Sequence, residues 1–143
     1  MAKFLWAIIC GQAILNAETD NFSLIEILQE IELPIIDAPN EFFFPIDFDL
    51  VVSWERMNQE SDLDSFILTL RSPSDQILLQ ATHSLKFSEG SISNITVFHF
   101  NGIPISSPGY YTFKIAIPPE QNEEAQIVGS VSLNINYLRK KIQ

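Results

Sequence analysis

The stretch Ser107–Pro119, read Ser-Pro-Gly-Tyr-Tyr-Thr-Phe-Lys-Ile-Ala-Ile-Pro-Pro, constrains the fold more than any other. Pro108-Gly109 marks a turn, because proline presets one dihedral and glycine takes the one other residues avoid. Beyond it Tyr111, Phe113, Ile115 and Ile117 alternate with Tyr110, Thr112, Lys114 and Ala116. Period two is the spacing of a strand with one face on a core. Pro118 and Pro119 stop the strand, since neither can donate a ladder hydrogen bond. An apolar strand face of this kind needs a second sheet to cover it.

The rest of the chain supplies the partners. Phe4 to Leu15 is apolar on both faces, as expected of an enclosed strand. The same run could be a signal peptide. Against that stand a lone basic Lys3, the interruption at Gly11-Gln12, and Leu15 where a small residue is preferred. The reading adopted is a buried strand, with secretion as the minority alternative. Residues 22–33 admit two patterns: a helix with Leu24, Ile27, Leu28 and Ile31 in one stripe behind a Ser23–Glu26 capping box, or a strand. The isoleucines favour the strand. Pro34 to Pro45 holds three prolines and predicts irregular structure. Alternation returns over Ile46–Trp54. Ser65–Arg71 and Gln76–Ala81 flank a tight Ser72-Pro-Ser-Asp75 turn, and Asn94–Phe100 and Ile127–Tyr137 complete the set.

About eight strands and at most one short helix predict an all-β, two-sheet antiparallel sandwich, immunoglobulin- or C2-like, as one domain over residues 1–143. Gly109-Tyr110-Tyr111 at a strand start suits the tyrosine corner of immunoglobulin-like sandwiches, although their disulfide pair is missing. The opening apolar strand, Ser23-Leu-Ile-Glu-Ile27, Leu68-Thr-Leu-Arg-Ser-Pro-Ser-Asp-Gln-Ile-Leu78 and Ile103-Pro-Ile-Ser-Ser-Pro-Gly-Tyr-Tyr-Thr-Phe113 carry a resemblance. Over Phe4 to Tyr137 the chain resembles an uncharacterised family of small bacterial β-sandwich proteins. That resemblance implies the fold and an intracellular bacterial or phage setting. It brings no catalytic residue with it.

Eight basic against 18 acidic residues give a net charge of −10. Such a surface repels phosphate backbones and anionic headgroups, so nucleic-acid and membrane partners are disfavoured. The single cysteine, Cys10, excludes an internal disulfide, fits a reducing, cytoplasmic compartment, and sits where an inert buried thiol is expected. His83 and His99 are the only histidines, and no nucleophile elbow or phosphate loop accompanies them. The expectation is therefore no enzyme, no catalytic residue and no cofactor. Zinc ligands are too few. For calcium the candidates are Asp47, Asp49, Asp62, Asp64 and Asp75, yet no loop holds three close acids, so no metal ligand is assigned.

Phe42-Phe43-Phe44 cannot all point inward from an extended segment. They form either a lid over one open end of the sandwich or an anchor for a partner. Tyr110 and the Ile103-Pro-Ile105 loop could extend that surface. The functional reading is a non-enzymatic protein-interaction module: a subunit, adaptor or self-assembling component. It would bind through Phe42, Phe43, Phe44, Ile103, Ile105 and Tyr110, or through an edge strand. One alternative is an acidic neutraliser (an immunity protein, antitoxin or nucleic-acid mimic) of a basic partner. Another is a calcium or small-ligand sensor.

Overall fold

A computed structural model describes residues 2–35, 41–56, 63–119 and 124–138, apart from the side chains of Leu63 and Asp64. Eleven strands and no helix occur among the described residues: β1 (Ala2–Leu15), β2 (Phe22–Ile27), β3 (Glu30–Leu33), β4 (Phe42–Phe44), β5 (Phe48–Arg56), β6 (Leu63–Arg71), β7 (Ile77–Lys86), β8 (Ser93–Phe100), β9 (Ile103–Ile105), β10 (Gly109–Ile117) and β11 (Gln126–Tyr137). The chain is an all-β sandwich. A four-stranded sheet, β2-β1-β5-β8, faces a five-stranded sheet, β3-β11-β10-β6-β7, and β4 with β9 makes a separate two-stranded ribbon.

Three short elements correct the sequence expectation of about eight strands. The stretch 22–33 is extended, but it divides into β2 and β3, which belong to different sheets. Glu26, at φ 57°, interrupts the ladder between the Gln12–Ile25 and Cys10–Ile27 pairs, and pairing with β1 stops just beyond, at Leu28. The chain then crosses to the other sheet, where β3 meets β11 running the same way. The expected purely antiparallel sandwich therefore has one parallel pair at an edge. The proline-rich stretch expected to be irregular contributes β4, the other unforeseen strand along with its partner β9.

Alternation decides the core. Phe48, Leu50, Val52 and Trp54 of β5 face Phe66, Leu68 and Leu70 of β6, Tyr111, Phe113 and Ile115 of β10, and Leu133 and Ile135 of β11, all buried. Trp54 holds Phe66 at 5.1 Å and Phe4 at 5.6 Å between ring centroids. Each such side chain stabilises the fold by roughly 1.5–3 kcal/mol through apolar burial. The Tyr111 hydroxyl donates to the Ser107 carbonyl (2.7 Å) and accepts from the Ser106 and Ser107 N–H groups (3.0 and 3.3 Å). This is the tyrosine corner that the Gly-Tyr-Tyr motif suggested, with Tyr111 as its hydroxyl donor.

The opening strand changes partner midway. Ala2 to Cys10 pair with β5, whereas Cys10 to Leu15 pair with β2. The second half does not continue flat beyond the sheet. The Ala13 N–H reaches the carboxylate of Asp49, which projects from the outer face of β5. At the hairpin tip, Asp20 and Phe22 line one cleft with Ser88–Ser91, Ser93 and Ile95 from the β7–β8 region. The β1–β2 hairpin is folded back over the outer face of its own sheet. Hence Asp49, Val51 and Ser53 on that face are 1%, 0% and 4% exposed. The run Phe4–Leu15 is apolar on both sides because one strand serves a core face and a covering flap.

Candidate functional site

The ribbon gathers five of the six residues expected to bind a partner. Phe42, Phe43 and Phe44 of β4 lie opposite Ile105, Pro104 and Ile103 of β9. Three successive side chains on a strand must alternate, and they do. Phe42 and Phe44 turn inward onto the core beside the buried Ile103 and Ile105. Phe43 turns outward and is 63% exposed. Its ring nevertheless sits on the backbone of Gly102, at φ 144°, where a Cβ would lie 2.6 Å from both the Phe43 ring and the Phe44 carbonyl oxygen. Glycine alone allows that approach.

Burial corrects part of the expectation. Ile103 and Ile105, at 2% and 0% exposure, are core residues whose side chains cannot touch a partner of the folded chain. Phe42 and Phe44 close the sandwich as a lid, with the Phe42 ring 6.4 Å from that of Tyr137. Tyr110 stands on the outer face of β10, 63% exposed, beside Asn134 in register. Phe43 and Tyr110 are thus the two of the six that present an aromatic side chain to solvent.

The histidines and the cysteine have a geometry that the sequence did not reveal. Cys10, Asp49 and His99 are opposite one another on β1, β5 and β8 and form one row across the sheet. The middle member takes two hydrogen bonds: Asp49 accepts from the Ala13 N–H at 2.8 Å, and its other oxygen pairs with His99 Nδ1. The His99 side chain is 78% exposed and Asp49 only 1%. Burial, then the neighbouring Asp49 carboxylate, push the Cys10 thiol up from its ordinary value, while a backbone hydrogen bond at Gln12 pulls the other way. A thiol kept protonated beside an anion is the reverse of an activated nucleophile. Through its bond to the Ala13 N–H, Asp49 is the latch that ties the hairpin to β5.

The acidic candidates are dispersed. Asp47 is exposed, Asp49 is committed to the latch, and Asp75 holds its turn, with an ion pair to Arg71 at 3.4 Å. Asp62 and the side chain of Asp64 lie outside the described residues. Among the described residues no group of three or more His, Cys, Asp or Glu is arranged so that it could hold a metal ion. No described helix is long and apolar enough to cross a membrane.

Sequence reasoning missed one apolar surface. Ile14, Ile25 and Ile27 on the hairpin are 41%, 48% and 60% exposed. The signal was present in Ile25-Glu-Ile27, an alternating pattern whose apolar side had no assigned cover. The cleft at the hairpin tip measures about 540 Å³ and is lined by hydroxyls and carboxylates with Phe22 and Ile95.

No family model and no curated protein matches this chain. Among solved structures it is similar to an immunoglobulin-like protein from Pseudomonas aeruginosa. The two are 12% identical over 95% of this chain and 97% of that one, with a TM-score of 0.43.

Proposed function

We propose that this chain is a non-enzymatic protein-interaction module that works in a reducing compartment such as the cytoplasm, with Phe43 as its principal contact and Tyr110 as a second. The observation that carries this reading is the posture of Phe43. Its neighbours Phe42 and Phe44, and the opposing Ile103 and Ile105, anchor the ribbon in the core, and Gly102 supports the ring from below. An aromatic held in place yet 63% exposed loses little side-chain freedom on binding, which is the property of an interface anchor.

The test is a pull-down from host lysate with tagged chain, washed at low and then high salt, wild type against Phe43→Ser. A near-stoichiometric protein that survives high salt and is lost with Phe43→Ser supports the reading. Equal capture by both chains would sink it, provided that the variant melts like the wild type. The net charge of −10 supports a second reading, an acidic neutraliser, under which a basic protein is captured and then released by salt.

A further inference from the structure

Two free strand edges lie on one flank of the sandwich. Among the described residues β7 pairs only with β6, and β8 only with β5. The His83 ring of β7 and the Phe98 ring of β8 are 5.2 Å apart, which places both edges on the same side. The edge of β7 is ten residues long and contains no proline, and its only Lys, Arg, Asp or Glu is the terminal Lys86. Edges of soluble sandwiches are usually blunted by proline, inward charge or brevity. The bulge at Leu78 interrupts only one end, leaving Leu79–Lys86 regular. Leu79, Ala81 and His83 continue the inner face of Leu70, Leu68 and Phe66, yet remain exposed because the opposite sheet stops at β8.

Charge selects the occupant. Of the 18 acidic residues, only Glu89 falls between Gln76 and Pro119, against Lys86 and Lys114 in the same stretch, while Asp75 lies in the turn before β7 and Asp64 is in register with Leu85 on β6. Both free edges belong to that segment. On a molecule of net charge −10, the strands β7 and β8 themselves carry no acidic residue, so a second copy can approach these edges without carboxylates facing each other on the paired strand.

We infer that β7 pairs with β7 of a second copy, antiparallel about a two-fold axis, so that two five-stranded sheets become one. Identical antiparallel edges can place only residues of like parity opposite each other, because outward-facing N–H and C=O groups recur every second residue. Centring on Thr82 pairs Leu79–Leu85 with itself, clear of the bulge. Ala81 then opposes the partner's His83, while Leu79 lies in register with the partner's Leu85, whose own side chain stays in its core at 1% exposure. This surface is separate from Phe43, so it stands or falls apart from the function proposed above.

Sedimentation velocity of the full chain over low to high micromolar concentration is the test. The expected mass rises from 16.2 kDa to twice that value, and Ala81→Lys, an exposed position, weakens association at least about tenfold by placing like charges near the axis. In a Cys10→Ala background, Thr82→Cys should form a disulfide-linked dimer under mild oxidation and Gln80→Cys should not; this arm holds even if Ala81→Lys misfolds. A wild type that stays at 16.2 kDa overturns the proposal, as does growth beyond two copies. So does a dimer indifferent to a folded Ala81→Lys, or equal cross-linking at both cysteines.

Discussion

The backbone N–H of Ala13 donates to the Asp49 carboxylate at 2.8 Å across 36 positions of sequence, and this bond closes the hairpin over its own sheet. Asp49→Ala leaves a part-buried donor without its partner and frees His99. The expected loss is about 1–3 kcal/mol of stability. Cys10, fully buried where the hairpin leaves the sheet, should then react faster with a thiol reagent under native conditions. An unchanged labelling rate would show that the hairpin is held by other contacts. His99→Ala should matter less, since that side chain is 78% exposed.

Two tyrosines at the same end of the sandwich should respond differently to loss of the hydroxyl. Tyr111→Phe strands three backbone groups of Ser106 and Ser107, with an expected cost of about 1–3 kcal/mol. Tyr137→Phe removes a buried hydroxyl that has no hydrogen-bond partner among the described residues. It should change stability by no more than about 0.5 kcal/mol. Urea denaturation of both variants compares them directly, and equal losses would contradict the corner geometry.

Gly102 and Gly90 both hold positive φ, at 144° and 78°, but only one is crowded. Gly90→Ala meets nothing within 4 Å and should cost the backbone term alone, about 1–2 kcal/mol. Gly102→Ala adds a collision with the Phe44 carbonyl and the Phe43 ring, so its melting temperature should fall further. The same substitution should weaken any contact that depends on Phe43. If the two variants melt alike, the ribbon does not need the close approach.

Alkali should destabilise the fold in a traceable way. Cys10 and Tyr137 both have raised values in the folded chain, chiefly through burial, from ordinary values of 9.0 and 10.0. A folded value above the unfolded one means that the native state holds the proton more tightly. The stabilisation is fully present below the unfolded value and is lost as pH rises through the folded one. Denaturation midpoints should therefore be insensitive to these groups at pH 7–8 and decline above about 9. Cys10→Ala should shallow the decline between pH 8 and 10. A profile identical to wild type would assign it elsewhere.

The sandwich was legible because strands that cover a core announce themselves by period two. Tyr111-x-Phe113-x-Ile115 and Leu133-x-Ile135 do so plainly, and each lies on the inner face. The Gly109-Tyr110-Tyr111 motif even suggested a tyrosine corner, but that Tyr111 and not Tyr110 makes it is decided by which of the two faces inward. The ribbon was only half legible. That Phe42, Phe43 and Phe44 could not all be buried follows from extended backbone. Which one faces out depended on pairing with β9, a segment remote in sequence, and that pairing also made Ile103 and Ile105 core instead of contact.

Local pattern determined the longer strands, their apolar faces and the acidic composition, because each depends on neighbours in sequence. Tertiary structure decided the rest. The parallel docking of β3 on β11, the fold-back of the hairpin and the row Cys10–Asp49–His99 each join residues from remote strands. No spacing rule encodes such contacts. They arise because a strand that has left one sheet must still pair its backbone groups and cover apolar surface, and only the assembled sandwich offers the place.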